Sequence, residues 1–380
     1  MTALPLITTA AGLVDVQTAL ATAAWVALDT ESNSMFVYKE QVCLLQLNVA
    51  GALFVIDPLA LGVVAGQPST ALDVLKPGLQ RKDRPLYLHG GEYDVACMKR
   101  DFGIALGGVF DTQQAASLLG WTKTGYGSVV EQVCGVVLGK AWATYDWATR
   151  PLNSEALAYA IDDVVYLPKA AEHLRDAVVA ADIVDEVAVA NAVVSAYEWT
   201  GGFDKNGFWK LRDIESLTVP SLKILARVYA WRDAAAAAEG QPAGRLINNE
   251  VLLLLARHPP TSMADLKKAR VKSSIAADHG DALLTAVALA DTDAAPTPPS
   301  SHTRPPPAVM AREAKLKTWR REESERRTAA EGRPVPFQLV LPARALDWLK
   351  VNGAADLDVV PQLGARRAAR YGDIIRSLLV

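Results

Sequence analysis

Trp25–Ser32, WVALDTES, is apolar over its first four residues and then sets two carboxylates, Asp29 and Glu31, two positions apart. In an extended strand residues i and i+2 share a face, so both acids project side by side from the end of an apolar strand. Two anions that close repel unless a cation lies between them, and carboxylates are the usual protein ligands of hard divalent ions. Alone, the pair also fits a solvated turn at a strand end.

The surrounding text predicts a sheet. WVALD (25–29), VCLLQLNV (42–49) and LFVID (53–57) are apolar, β-rich runs separated by polar stretches, and they read as three successive antiparallel strands. A helix near Thr70–Gln80, a strand PLYLH (85–89), a helix from Tyr93 to Arg100, a short strand GVF and a helix N-capped by Asp111 follow. Asn153 to Ala180 reads as helix, interrupted at Pro168. The pattern is α/β with a mixed five-stranded sheet.

Other acids join the first pair on this reading. Asp94 opens the helix after PLYLH, and Asp163 lies in AYAIDDVVYL, four residues after Tyr159. That spacing puts a phenol and a carboxylate on one helix face, about 5–6 Å apart at Cβ. Asp162, about 100° round the helix, is expected to be a solvated neighbour. Four carboxylates and a tyrosine suit two-metal phosphodiester hydrolysis, in which shared acids hold both ions and the tyrosine orients the attacking water. Singly, Tyr159 also fits a half-buried core position, and Asp94 a favourable charge at a helix N-terminus.

The chain of 380 residues, 51% of them hydrophobic, is long enough for two or three domains. No uninterrupted apolar run approaches the roughly 18 residues of a membrane helix, and the first residues lack a basic, apolar leader. A cytoplasmic protein with no membrane partner is expected. Cys43, Cys97 and Cys134 have no paired spacing, and the five histidines never fall at ligand spacing, so neither a disulfide framework nor a zinc site is suggested.

Charge is uneven. Residues 1–185 carry 12 basic and 20 acidic side chains, residues 186–308 carry 13 of each, and residues 309–380 carry 14 and 9. The basic C-terminal part is of the kind that follows a phosphate backbone, although a solvated face has the same composition. DTDAAPTPPSSHTRPPPA (291–308) holds six prolines and is expected to be an extended spacer. Across it the text partly repeats: AAEGQP (237–242) returns as AAEGRP (329–334), and LINNEVLLLLAR (246–257) is echoed by LVLPARALDWLK (339–350), consistent with a duplicated helical module.

With its flanks, the sequence resembles ribonuclease D, within the DEDDy group of 3′–5′ exonucleases. The segments that carry the resemblance are LDTESNSMFVYKEQVCLLQL, LYLHGGEYDVACMKRDFG with FDTQQAASLLG, and DWATRPLNSEALAYAIDDVVYL. It implies a ribonuclease-H-like fold, with Asp29, Glu31, Asp94 and Asp163 as metal ligands and Tyr159 as the residue that positions water. It also implies two divalent cations, Mg²⁺ or Mn²⁺, with Asp29 between them, and release of 5′-mononucleotides from RNA 3′ ends such as those of tRNA precursors. The chain departs from the family pattern at Gly90, where relatives often have Asn, and at Ala143 and Tyr145, where relatives carry Gln and Ser or Thr. These departures bear on how the terminal nucleotide is held.

The helical modules resemble HRDC domains. The expected organisation is a nuclease domain over 1–185, a connector over 186–214, a first HRDC domain over 215–290, the spacer, and a second HRDC-like domain over 309–380, acting as a monomer. Arg366, Arg367, Arg370 and Arg376, with Tyr371 among them, are read as contacts for phosphate and a base, and His89 as a cleft or structural histidine. Deleting residues 309–380 is expected to weaken RNA binding and spare some cleavage. Two other functions fit less well: a DNA 3′–5′ exonuclease using the same acids, and an inactive nucleic-acid-binding scaffold, which the intact acidic set disfavours.

Overall fold

The computed structural model of the protein describes residues 6–139, 141–299 and 305–379. Part of the expected spacer, residues 300–304, lies outside them; residues 293–299 have no regular structure. The chain divides into two compact units: Met1–Ser32, Gln41–Trp199 and Pro305–Val380 form one, and Asn33–Glu40 with Thr200–Arg304 form the other.

The first unit is built on strands β1 Leu6–Ile7, β2 Val26–Ser32, β3 Val42–Val49, β4 Ala52–Ile56, β5 Leu86–Leu88 and β6 Val109–Asp111. They lie in the order β1-β4-β3-β2-β5-β6. The β2–β3 and β3–β4 pairs are antiparallel, as their short connections require, and the other pairs are parallel. The expected sheet of five strands is thus one of six. The addition, β1, is two residues long, too short to carry a period of its own, and it pairs in parallel with Val55 and Ile56 of β4.

Helices α1 Leu13–Thr22, α2 Lys76–Leu79, α3 Glu92–Phe102, α4 Thr112–Leu118, α5 Tyr126–Cys134, α6 Ser154–Val165, α7 Leu167–Ala180 and α8 Val184–Ser195 surround the sheet. The Asp111 carboxylate caps α4 by accepting from the backbone N–H of Gln113 and Gln114. Pro168 opens α7 immediately after α6 ends. Alternation along β2 assigns its faces. Val26 and Leu28 join a core with Leu13, Leu20, Val95 and Phe102 of α1 and α3, whereas Ala27 packs with Val164, Leu167 and Ala171 of α6 and α7. Asp29 and Glu31, in step with Ala27, therefore face α6.

The second unit contains α9 Val219–Glu239, α10 Ala243–Leu246, α11 Asn249–Arg257, α12 Met263–Lys268 and α13 Ser273–Leu289 around one apolar cluster. It also holds the loop Asn33–Glu40. The Tyr38 hydroxyl donates to Asp233 Oδ2 at 2.7 Å, its backbone N–H donates to the Gly240 carbonyl at 2.9 Å, and Arg245 lies 4.7 Å over the Phe36 ring.

The C-terminal module comprises α14 Pro307–Glu331, α15 Phe337–Val340, α16 Ala343–Asn352 and α17 Gly364–Leu379. Its long, short, medium order matches that of α9 to α11, and both long helices end on a left-handed glycine, Gly240 and Gly332. It does not have a core of its own. Leu316, Leu339, Leu346 and Ile375 share one buried cluster with Ala115, Leu174, Val178 and Val187 of α4, α7 and α8.

Candidate metal and catalytic site

Strand β2 delivers Asp29 and Glu31, and α6 lays Asp163 over them. Ligand oxygens of these three side chains lie within 4.8 Å of one another. Asp94 comes from the first turn of α3 on the opposite side of β2. Its Oδ1 accepts from Thr30 N–H at 3.0 Å and from Thr30 Oγ1 at 2.5 Å, which clamps a buried carboxylate to the residue between the two strand acids.

All four carboxyls are pushed above their ordinary range, in each case chiefly by burial. Asp29 is raised well above it, with Asp94, Asp163 and Glu31 adding repulsion. Burial, then Asp163 and Asp94, raises Glu31 to about 8. Asp163 rises to about 7 through burial and then Asp162 and Asp94. Asp94 rises to about 6 because burial outweighs the Thr30 hydrogen bonds. Every charged neighbour that shifts these groups is another carboxylate. An all-oxygen, net-anionic cluster that no cationic side chain among the described residues neutralises fits hard divalent cations.

Tyr159, one turn before Asp163, is half-buried. Burial, then Asp163, Glu31 and Asp29, pushes its phenol up to about 12, so at neutral pH it is a hydroxyl beside the carboxylates. Its ring stacks on buried Trp147 with centroids 6.5 Å apart. Arg150 fixes that tryptophan: Nη1 donates to the Trp147 carbonyl at 2.7 Å, while Nε and Nη2 each reach the Asp57 carboxylate at 2.7 Å. Tyr145 stands edge-on between Trp142 and Trp147, 5.1 Å from each. Here the chain has an aromatic run where a hydrogen-bonding side chain was the family expectation.

His89 Nδ1 meets Thr112 Oγ1 at 2.8 Å, and its ring abuts Tyr126 edge-on at 5.3 Å. Burial lowers its pKa despite Asp111, so it is held neutral. Gly90 has φ +64°, and a Cβ there would come 2.9 Å from Gln113 Oε1. The position thus favours glycine on conformation, while the Gln113 side chain could move aside for a Cβ.

Two neighbours of the cluster escaped the sequence reading. Tyr126, whose phenol is raised by burial and then by Asp163 and Asp29, donates to the Asp162 carbonyl at 2.9 Å. No spacing rule could have found it. Gln46, a fully buried polar residue in a largely apolar strand, sits opposite Asp29, and its polarity was a readable signal.

The basic C-terminal run is placed differently from the expectation. Tyr371 is 2% exposed and accepts from Arg327 Nη1 at 3.0 Å, so its ring has no free face for a base. Arg367 is 3% exposed and donates to the carbonyls of Leu339 and Leu363 at 3.0 and 3.1 Å. Arg366 pairs with Asp182 and lies 3.7 Å from Glu186. These three side chains hold the module together or fasten it to α8 and the turn before it. Arg370 is exposed, and Arg376 forms an exposed pair with Asp373.

A half-buried carboxylate cluster beside a tyrosine on a mixed sheet is the arrangement expected of a metal-assisted 3′–5′ exonuclease, and the comparisons point to that class. A model described as 3′-5′ exonuclease matches residues 5–178, and an HRDC-domain model matches residues 221–287. The chain is 32% identical to ribonuclease D of Sphingobium indicum over 291 residues, 75% of this chain and 72% of that protein. It is 29% identical to ribonuclease D of Granulibacter bethesdensis over 97% of this chain and 90% of that one. The solved Escherichia coli RNase D, 24% identical, superposes with a TM-score of 0.70 over 99% of this chain and 98% of its own. The chain belongs to the ribonuclease D family of 3′–5′ exoribonucleases. Divalent-metal dependence is general in that exonuclease family, and the acidic cluster it requires is present. Among the described residues no helix is long and apolar enough to cross a membrane.

Proposed function

We propose that the protein trims single-stranded RNA 3′ ends, tRNA precursors and other stable RNAs among them, as a monomer that releases 5′-mononucleotides. Asp29, Glu31, Asp94 and Asp163 would hold two divalent cations, Mg²⁺ or Mn²⁺. Such cations, when bound, would supply the Lewis acidity that phosphodiester hydrolysis needs. Tyr159, protonated at neutral pH, orients that water through its hydroxyl. Trp147, anchored by Arg150, keeps the phenol from turning away. The observation that supports the reading best is the convergence of Asp29, Glu31 and Asp163 oxygens within 4.8 Å, with Tyr159 feeling the same three acids.

The test is to incubate the protein with matched single-stranded RNA and DNA in Mg²⁺, Mn²⁺ or EDTA, alongside Asp163→Asn. Stepwise RNA shortening that needs metal and disappears in the variant is the expected result. No metal-dependent shortening, or equal shortening by the variant, refutes it; faster loss of DNA makes the enzyme a DNA exonuclease.

A further inference from the structure

Gln46 is completely buried, and neither Oε1 nor Nε2 has a hydrogen-bond partner among the described residues. A buried amide without partners is rare in a folded protein and calls for a reason. The β2–β3 register sets Gln46 directly opposite Asp29. Side chains so paired lie on one face, with Cβ atoms about 4.5–5.5 Å apart. The flanking residues of that face fix what lies above: Leu44 packs with Ala156 and Ala160 of α6, and Asn48 Nδ2 donates to the Val164 carbonyl at 3.0 Å. Gln46 therefore sits beneath the turn of α6 that carries Asp163 and next to the Asp29 carboxylate.

We propose that Gln46 is a positioning residue for Asp29, its Nε2–H donating to the carboxylate when the site takes up divalent cations; this rests on the metal reading above. The residue type suits the task. A lysine or arginine there would neutralise Asp29 and compete with the metal, whereas an amide gives a directed donor and leaves the cluster anionic. Hydrogen bonds to ligating carboxylates orient them, and their loss typically costs 10–100-fold in metal affinity.

The test titrates Mn²⁺ into metal-free wild type, Gln46→Met and Gln46→Leu by calorimetry, with thermal melting of each metal-free protein. Expected are a Kd weakened by about 10–100-fold in both variants and a metal-free Tm equal to or above that of wild type, because each substitution removes an unpartnered buried amide. A Kd within about twofold of wild type overturns the role, as does weakened binding that merely tracks a lowered metal-free Tm. Wild type that binds no Mn²⁺ overturns the metal reading and this role together; wild-type binding with unchanged variants removes Gln46 alone.

Discussion

Asp163→Asn should abolish activity and yet stabilise the metal-free protein. An acid whose folded pKa is raised keeps its proton in the fold while the unfolded chain releases it, so stability falls as pH rises between the two values. For Asp163 that window runs from the ordinary 3.8 to about 7. At roughly 1.36 kcal/mol per unit the penalty at neutral pH is about 4 kcal/mol, or about 2 once solvent access at this half-buried carboxyl is allowed for. Asparagine carries no charge and is spared it. The expected rise in Tm in EDTA near pH 8 is about 5–10 °C, shrinking toward zero near pH 4. Mn²⁺ should close the gap, since a ligand at a thousand times its Kd stabilises wild type by about 4.1 kcal/mol and the variant has lost a ligand. Melting curves of both proteins across that pH range, with EDTA and with Mn²⁺, are the assay. A variant no more stable than wild type near pH 8, or a gap that ignores pH, refutes the electrostatic account of the cluster.

Tyr159→Phe should lower kcat by about 10²-fold, the scale of a misplaced nucleophile, with KM changed far less; an unchanged kcat in single-turnover assays removes its role. Leu339→Ala, at a site with 0% exposure in the cluster shared with α4, α7 and α8, should cost about 2–5 kcal/mol in denaturant unfolding of the nuclease unit. For the same reason deletion of residues 309–380 should destabilise that unit, where the sequence alone suggested a removable RNA-binding arm; nuclease-unit melting unchanged by the deletion would restore the simpler view. Arg370→Ala should reduce the slope of log affinity against log salt for RNA by about 1, and an identical slope means Arg370 touches no phosphate.

What could be read in advance follows from how local each feature is. The strand acids, the Tyr159–Asp163 pair and the Asp111 cap depend on spacings of two to four residues, and local geometry places them. Helix α1 went unassigned from the sequence, although Leu13, Val16 and Leu20 form a stripe, all buried. The docking of the C-terminal module was not readable, because a helix face that meets another element has the same periodicity as one closing its own core. Even so, Leu363, Arg367, Tyr371, Ile375 and Leu379 recur every four residues and are all buried. That stripe marked Arg367 and Tyr371 as interior, and their polarity drew the reading outward. Strand β1 depends on pairing with residues nearly fifty positions away.

The loop Asn33–Glu40 begins two residues after Glu31, yet belongs to the second unit. The helical unit is consequently stitched into the nuclease chain at two places and is not a pendant on its end. A fragment cut at Trp199 would keep Phe36 and Tyr38 but lose Arg245, Asp233 and the Gly240 carbonyl that hold them. Such a fragment would leave the first connection after β2 without its anchors. Activity measured on it would report a rebuilt loop as much as a missing domain.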